Sequence, residues 1–469
     1  MTRALDPRTG ARLCRRPAAA GWSALRLAFS TVALRFTERA AVAYTLPDQS
    51  WGALPMVHYT LGWLEQQRGN AKAALKHFKT AAAFPPDYCF PARLEEIAIL
   101  ETAMRVNPRD ARAAYYLGNL LYDRRRHEAA IRLWERSAKL DPSFSIVWRN
   151  LGIGYFNIRK QPAKARTAYD RALRANPQDA RLLYERDQLW KRLGDSPGKR
   201  LRELKKRLEL VQQRDDLSVE LGALHNQTGQ PHKALALVSS RTFQPWEGGE
   251  GGALGQWTRA NILLGQQALE QVQSLERISA SRSRLLQTAI EHFKAALTAP
   301  HNLGEAKHLL ANQSDIHYWL GVAFSQANET KRAQQHWQAA ATFKGDFWEM
   351  SVRAFSEMTF YSALSLKELG RKTKAQKLLL GLLAYAQQLK RSKARLDYFA
   401  TSLPALLLFD DDLQFRQQTT ALFLQAQAHL GLGRRARAIA LLRTVLKRDP
   451  SHALAADLLR SLQPVRQTA

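Results

Sequence analysis

Residues whose types and spacing could do chemistry are few in this 469-residue chain, and each falls short of the arrangement its chemistry needs. The run Gly194-Asp-Ser-Pro-Gly198-Lys199 has the glycines and lysine of a phosphate-cradling loop. It lacks one spacer residue, carries Arg200 where a hydroxyl must meet magnesium, and follows no strand, so it reads as a helix-terminating turn. Gly431-Leu-Gly433-Arg-Arg-Ala436 matches the dinucleotide fingerprint in letters but follows helix-forming residues, which makes Gly433 a turn glycine. His127-Glu128 lacks the second histidine of a zinc protease, and no two of the twelve histidines stand four apart beside another donor; His301 and His308 read as surface residues. Asp410, Asp411 and Asp412 lack the alternation and glycine of a calcium loop, and acids opening a helix are explained by capping and the helix dipole. Glu247 and Glu250, beside Trp246 in a glycine-rich loop, are the one carboxylate pair not dismissed; they read as part of a structural loop that caps the groove, with an acid-base dyad as the alternative. No catalytic residue, metal ligand or cofactor is assigned, and the expectation is a protein without enzymatic activity.

Any such residue would have to be positioned by helical hairpins, because the chain repeats itself. Residues 145 to 177 supply Trp148, Leu151, Gly152 and Tyr155, then Ala165, Tyr169, Ala172 and Pro177. The unit before supplies Leu117, Gly118, Ala130, Trp134 and Pro142, and the first clear unit Leu61, Gly62, Ala74, Phe78, Ala81 and Pro86. Looser copies follow at Leu221, Gly222, Gly229 and Ala234; at Ala289, Phe293 and Ala296; at Leu320, Gly321, Ala333, Trp337 and Ala340; at Leu369, Gly370 and Ala375; and at Gly433, Ala438, Leu442 and Pro450. The spacing resembles the tetratricopeptide repeat of about 34 residues. Two antiparallel helices approach closely where one offers Gly or Ala and the other an aromatic ring, and Pro ends each second helix because it has no amide proton. The expected fold is therefore all-α, a tetratricopeptide-type solenoid of stacked hairpins forming a right-handed superhelix. The expected organisation is a basic arm over 1–50, a first block of repeats over 51–245 and a second over 246–469 with a terminal capping helix. The boundary is placed at the glycine-rich segment Arg241 to Gly252, and residues 91 to 108 read as one helix without a full partner.

From about residue 53 to 460 the succession PMVHYTLG, DYCFP, ARAAYYLGNLLYD, DPSFSIVWRNLG, PWEGGEG, NLGEAKH and DYFATSLP resembles the C-terminal helical half of a family of large bacterial proteins. Their N-terminal half is a domain of unknown function similar to galactose-mutarotase β-sandwiches. The resemblance implies a relative rather than an activity, since any sugar chemistry would reside in the half absent from this sequence. An accessory role in carbohydrate processing is one function it implies.

The formal net charge of +29 attracts anions, whether nucleic acid, anionic lipid or acidic protein segments. The composition, with a mean hydropathy of -0.37, is that of a folded chain. Cys14 and Cys89 form no disulfide or zinc framework, and no stretch reads as a membrane span. The arm over 1–50 is rich in arginine around an apolar run from Leu27 to Leu34 and fits a secretory signal, an organellar presequence or an irregular start to the reading frame. The expected location is the cytoplasm, with targeting by that arm as the alternative. Basic residues concentrate in Lys191 to Arg214 and Arg371 to Arg395, either as solvated faces or as a surface for nucleic acid or an acidic partner. The repeat pattern favours a protein or peptide partner, an acidic one suiting the charge, over RNA or another polyanion. First helices line the concave face of such arrays, which brings forward Asn119, Arg149, Asn150 and Arg181 as groove residues for a peptide backbone or terminal carboxylate. This partly resembles the carboxylate clamp of chaperone-binding tetratricopeptide domains, although Tyr115 and Glu185 stand where that clamp is basic. The alternative for the two asparagines is hydrogen bonding within the stack.

Overall fold

A computed structural model describes residues 54–244, 249–275, 279–308, 311–343, 346–348, 351–394 and 408–462. Packing divides the chain into two compact units, Met1–Pro177 and Gln178–Ala469. The glycine-rich segment near residue 245, where the sequence places a boundary, lies inside the second unit. The arm over 1–50 and its Cys14 lie outside the described residues.

The first unit is built on the crossings that the repeat spacing requires. Helices α1 (Leu54–Gln67) and α2 (Ala71–Ala83) form one hairpin, α4 (Ala111–Asp123) and α5 (His127–Leu140) a second, and α6 (Ser145–Asn157) and α7 (Pro162–Ala175) a third. Helix α3 (Glu95–Val106) packs on α1 and α4 without a helix of its own, as expected for residues 91 to 108. At each crossing glycine faces a ring: a methyl added at Gly62 would stand 2.6 Å from Phe78, at Gly118 2.5 Å from Trp134, and at Gly152 2.5 Å from Tyr169. Any side chain there would force the helices apart, which is why glycine marks the site. Tyr59, Phe78, Leu100, Tyr116, Leu120, Trp134, Val147 and Leu151 join these crossings into one buried core. Asp110 serves both local and tertiary structure: it caps α4 by accepting the Ala113 amide at 2.9 Å and accepts the buried Tyr59 hydroxyl at 3.0 and 3.2 Å.

The second unit begins with α8 (Ala180–Arg192), α9 (Pro197–Lys205) and the short α10 (Leu208–Gln212), which support the hairpin of α11 (Asp215–Gln227) and α12 (Pro231–Ser239). The pairs α13 (Gly252–Gln273) with α14 (Ala280–Ala296), and α15 (Ser314–Gln326) with α16 (Thr330–Thr342), repeat the glycine-aromatic crossing at Gly265 with Phe293 and at Gly321 with Trp337. After a two-stranded antiparallel hairpin, β1 (Asp346–Trp348) with β2 (Ser351–Arg353), come α17 (Thr359–Glu368), α18 (Lys372–Arg391), α19 (Leu413–Gly431), α20 (Arg435–Arg448) and α21 (Ala453–Ser461). That hairpin is the sole sheet among the described residues of an otherwise helical solenoid. Helix α13 is 22 residues long and so exceeds a repeat helix, and Gly222 meets its nearest neighbours no closer than 3.8 Å. The 3.8 Å is the distance a methyl added at Gly222 would keep, so no tight crossing is built there, and both features loosen the repeat pattern on α11 and α13.

Candidate functional site

The candidate groove residues of the first unit are joined directly. Asn119 on α4 and Asn150 on α6 are both on first helices, and the Asn150 amide donates to Asn119 Oδ1 at 2.9 Å. The same oxygen accepts Trp134 Nε1 at 3.0 Å, so the crossing aromatic holds the amide at its angle. Arg149 Nη1 donates to Asn150 Oδ1 at 3.4 Å, and all three side chains are half-buried. An asparagine amide carries two N–H groups, and Asn150 directs one of them to Asn119. Beneath lies Tyr115, buried against the Phe144 ring at 4.9 Å, its hydroxyl pKa raised by burial. Arg112 lies over that same ring at 3.5 Å. The hydrogen bonding within the stack that the sequence allows is thus present, and it sets the two amides and a guanidinium side by side.

Arg181 belongs to the second unit, at the start of α8. Its Nε donates to the buried Glu185 carboxylate at 2.8 Å. Glu185, which stands where the clamp of chaperone-binding domains is basic, thereby offsets its charge. Near it the second unit buries a larger network. Arg200, fully buried on α9, pairs with Asp187 of α8 and Glu220 of α11, and Lys191 meets Glu220 at 3.1 Å. Burial opposes the charge on Arg200, but Glu220 and Asp187 more than offset it and raise its pKa. Burial likewise opposes ionisation of Glu220, yet Lys191 and Arg200 outweigh it and hold its carboxyl below the usual carboxylate range. The lysine-glycine motif that resembles a phosphate loop is spent in this construction: Gly194 has φ 77° at the end of α8, Ser196 caps α9 through the Lys199 amide, and Arg200 is the internal cation.

Of the loop candidates, Trp246 and Glu247 lie outside the described residues, and Glu250 is exposed. Glu305 caps α13 here, accepting the Gly251 and Leu254 amides at 2.5 and 2.9 Å. Gly433, with φ 81°, is the turn between α19 and α20. Asp412 caps α19 through the Phe415 amide at 2.8 Å, and Asp411 pairs with Arg416 at 2.9 Å. An open depression of about 1240 Å³ runs along α2 past Asn70, Lys72, Lys76, Lys79 and Phe84. It lies on a second helix and includes no member of the amide ladder.

Two histidine pairs have a separation that no single-helix metal spacing would reveal. His58 of α1 and His77 of α2 bring their Nδ1 atoms to 3.2 Å, and His317 of α15 and His336 of α16 bring theirs to 2.9 Å. The ring centroids are 5.5 and 5.2 Å apart, greater than the nitrogen distances by about two ring radii, so the nitrogens point head to head. That is the arrangement of an N–H···N hydrogen bond, in which each ring nitrogen is aimed at the other. Among the described residues no cluster of three or more such donors is present. The signal in sequence is histidine four residues before the crossing glycine, together with histidine immediately before the crossing aromatic, as in His58-Tyr-Thr-Leu-Gly62 with His77-Phe78. A spacing of nineteen carries the chain from one helix of a hairpin across the turn to the other, whereas the metal-ligand spacing sought in the sequence is that of one helix.

The two basic stretches differ in their partners. In the first, Lys191, Lys199, Arg200, Lys206 and Arg214 pair with Glu220, Asp195, Asp187, Glu203 and Asp216. In the second, Lys372, Lys374, Lys377, Lys390 and Arg391 of α18 are exposed and carry no ion pair among the described residues. No helix among the described residues is long and apolar enough to cross a membrane.

A family model for the tetratricopeptide repeat matches residues 97–143, 150–195 and 423–459, which places such repeats in both units. Among solved structures the chain is similar to MamA, at 16% identity over 38% of this chain and 90% of that one with a TM-score of 0.26. It is similar to YrrB, a tetratricopeptide protein with an unusual peptide-binding site, at 15% identity over 51% and 89% with a TM-score of 0.20. A third is the tetratricopeptide protein TTC0263 of Thermus thermophilus, at 20% identity over 40% and 89% with a TM-score of 0.24. Each is a likeness between helical arrays.

Proposed function

We propose that this chain is a non-enzymatic protein-interaction scaffold whose first unit receives an extended peptide bearing an acidic side chain or a free C-terminal carboxylate. The tetratricopeptide repeats support a protein-binding scaffold in general. The finer reading rests on one observation: Asn119 and Asn150 form an amide ladder across two successive first helices, with Arg149 beside it. Amides presented at helix-pair spacing suit the alternating groups of a peptide backbone, and a guanidinium suits a carboxylate in two-point contact. Arg181 belongs to the second unit, where it is paired with Glu185, and this reading of the first unit does not rest on it.

The test is a display selection of peptides with free C-termini on the full chain, followed by calorimetry of the selected peptides. Combined Arg149→Ala and Asn150→Ala substitution weakens them by about tenfold or more, in the range expected for a charge-assisted contact. Unchanged affinity in the folded double variant removes the groove assignment. A second reading, a polyanion-binding solenoid, is favoured by the basic face of α18, which carries no ion pair among the described residues. The resemblance to one half of larger bacterial proteins supports a third, an accessory to a mutarotase-like partner, which fails if such a protein and this chain do not bind one another when purified.

A further inference from the structure

The first helices of the second unit already hold a helix. Helix α21 follows the α19–α20 hairpin, packs on it through the buried Ala455 and the half-buried Leu458 and Leu459, and reaches across to elements about two hundred residues earlier. Arg259 of α13 grips Asp457 of α21 with two parallel hydrogen bonds, Nε to Oδ2 at 2.8 Å and Nη2 to Oδ1 at 2.9 Å. The same guanidinium donates to Gln227 Oε1 at 2.6 Å, at the end of α11. Gln227 Nε2 donates to the Pro450 carbonyl at 3.4 Å, and Arg460 Nη2 donates to the Gln227 carbonyl at 3.0 Å. Arg200 Nη1 reaches Ser451 Oγ at 3.2 Å. Beside this polar seam Leu458 joins the apolar cluster that holds Phe360, Tyr361 and Leu430, from α17 and α19. An acid followed by leucine on one helix is therefore read by an arginine of one first helix and an apolar patch on two others.

We infer that α21 is a displaceable internal ligand: the surface shared by α11, α13, α17 and α19 is a helix-binding site that the chain's own C-terminal helix occupies in cis. The outside partner it fits is an amphipathic helix carrying an Asp-Leu or Glu-Leu step, which gains access when α21 leaves. Three features make α21 suited to release. It is nine residues long, its one buried residue is Ala455, and its grip on α11 and α13 is made of polar contacts that water can replace. An outside helix then competes at the effective concentration of a tethered segment, so the closed form is favoured until a partner or a charge change weakens α21. This site lies in the second unit and stands apart from the peptide groove proposed for the first.

The experiment uses the full chain and a fluorescein-labelled synthetic peptide of residues 450–462. Asp457→Arg should free α21, speed hydrogen exchange of its amides by about tenfold or more while α11 and α13 keep their protection, and raise peptide affinity by about tenfold or more over the unsubstituted chain. Adding Arg259→Glu to Asp457→Arg reverses the pair, which should close α21 again and return both readouts toward the starting values. Three results would overturn the inference. The peptide could bind both chains equally or neither, or α21 exchange could stay unchanged in a folded Asp457→Arg chain. The third is cooperative unfolding of the whole second unit in Asp457→Arg, which would make α21 a structural staple rather than a ligand.

Discussion

Two imidazoles that meet nitrogen to nitrogen can share a hydrogen bond while at least one of them is neutral, and a second proton sets two N–H groups against each other. In the second unit the His317–His336 pair sits half-buried, with His336 against the Phe324 ring, and Lys294 and Lys307 face it with positive charge. Burial first, then His317 and Lys294, depress His336 from its ordinary 6.5 to about 4, and burial with Lys307 depresses His317. The unfolded chain therefore binds protons more readily than the folded one below 6.5, so this contribution to stability is full above 6.5 and lost as pH falls toward about 4. The expected outcome is a melting temperature of the second unit that drops across that window, and a flatter pH profile in His336→Gln. An unaltered profile in His336→Gln would show that the pair does not govern it. Neither histidine pair was legible as a unit in the sequence, because what joins its members is the return of the chain through a turn. The asparagines of the first unit were legible, since Asn119 stands one residue after the crossing glycine and Asn150 two residues before its own, on helices whose role the repeat already fixes.

At the scale of the element, the turn between first and second helix is held by one residue with positive φ. Gly69, Gly194, Gly229, Gly370 and Gly433 occupy that position with φ between 76° and 84°, but the equivalent places hold Arg125 at 59°, Lys160 at 51° and Asn328 at 62°. A side chain with a β-carbon is strained in this region, asparagine least, while glycine is at ease there. Arg125 is exposed, so its replacement disturbs no core. Arg125→Gly should stabilise the first unit by about 0.5–1 kcal/mol, read as a higher urea midpoint, whereas Arg125→Ala should leave it nearly unchanged because the strain stays. A gain from alanine equal to that from glycine would mean that the side chain, and not the backbone, was the cost. The hairpins themselves were legible wherever a glycine and an aromatic stood at the right separation, as with Gly118 and Trp134. Gly265, which faces Phe293, is hidden in the sequence because α13 runs on to 22 residues and obscures the repeat's length. The β1–β2 hairpin has no counterpart in the repeat pattern and had no signal there.

For the whole molecule, a net charge of +29 says that anions are attracted but not where, since sequence runs do not show which cations already have partners. Lys191 to Arg214 looks as basic as Arg371 to Arg395, yet the carboxylates that neutralise much of it arrive partly from a different helix, as Glu220 does for Lys191 and Arg200. The two units divide after Pro177, whereas the sequence places its boundary at the glycine-rich segment near residue 245. The exposed basic face of α18, without an ion pair among the described residues, gives the polyanion reading a specific form. Single-stranded RNA should bind with an affinity that falls steeply with salt and ignores base sequence, since each phosphate contact releases a condensed counterion. Replacing Lys372, Lys374 and Lys377 by Gln should reduce the slope of log affinity against log salt by about 2, at roughly 0.7 per lost contact on a single strand. Replacing Lys199, Lys206 and Arg214 should change it far less, because those cations are engaged by Asp195, Glu203 and Asp216. The remaining basic residues are common to both variants, so the comparison isolates the two faces. Equal slopes for the two triple variants would dismiss α18 as a phosphate-contacting face, and tight, sequence-selective binding at physiological salt would place RNA above peptide as this chain's partner.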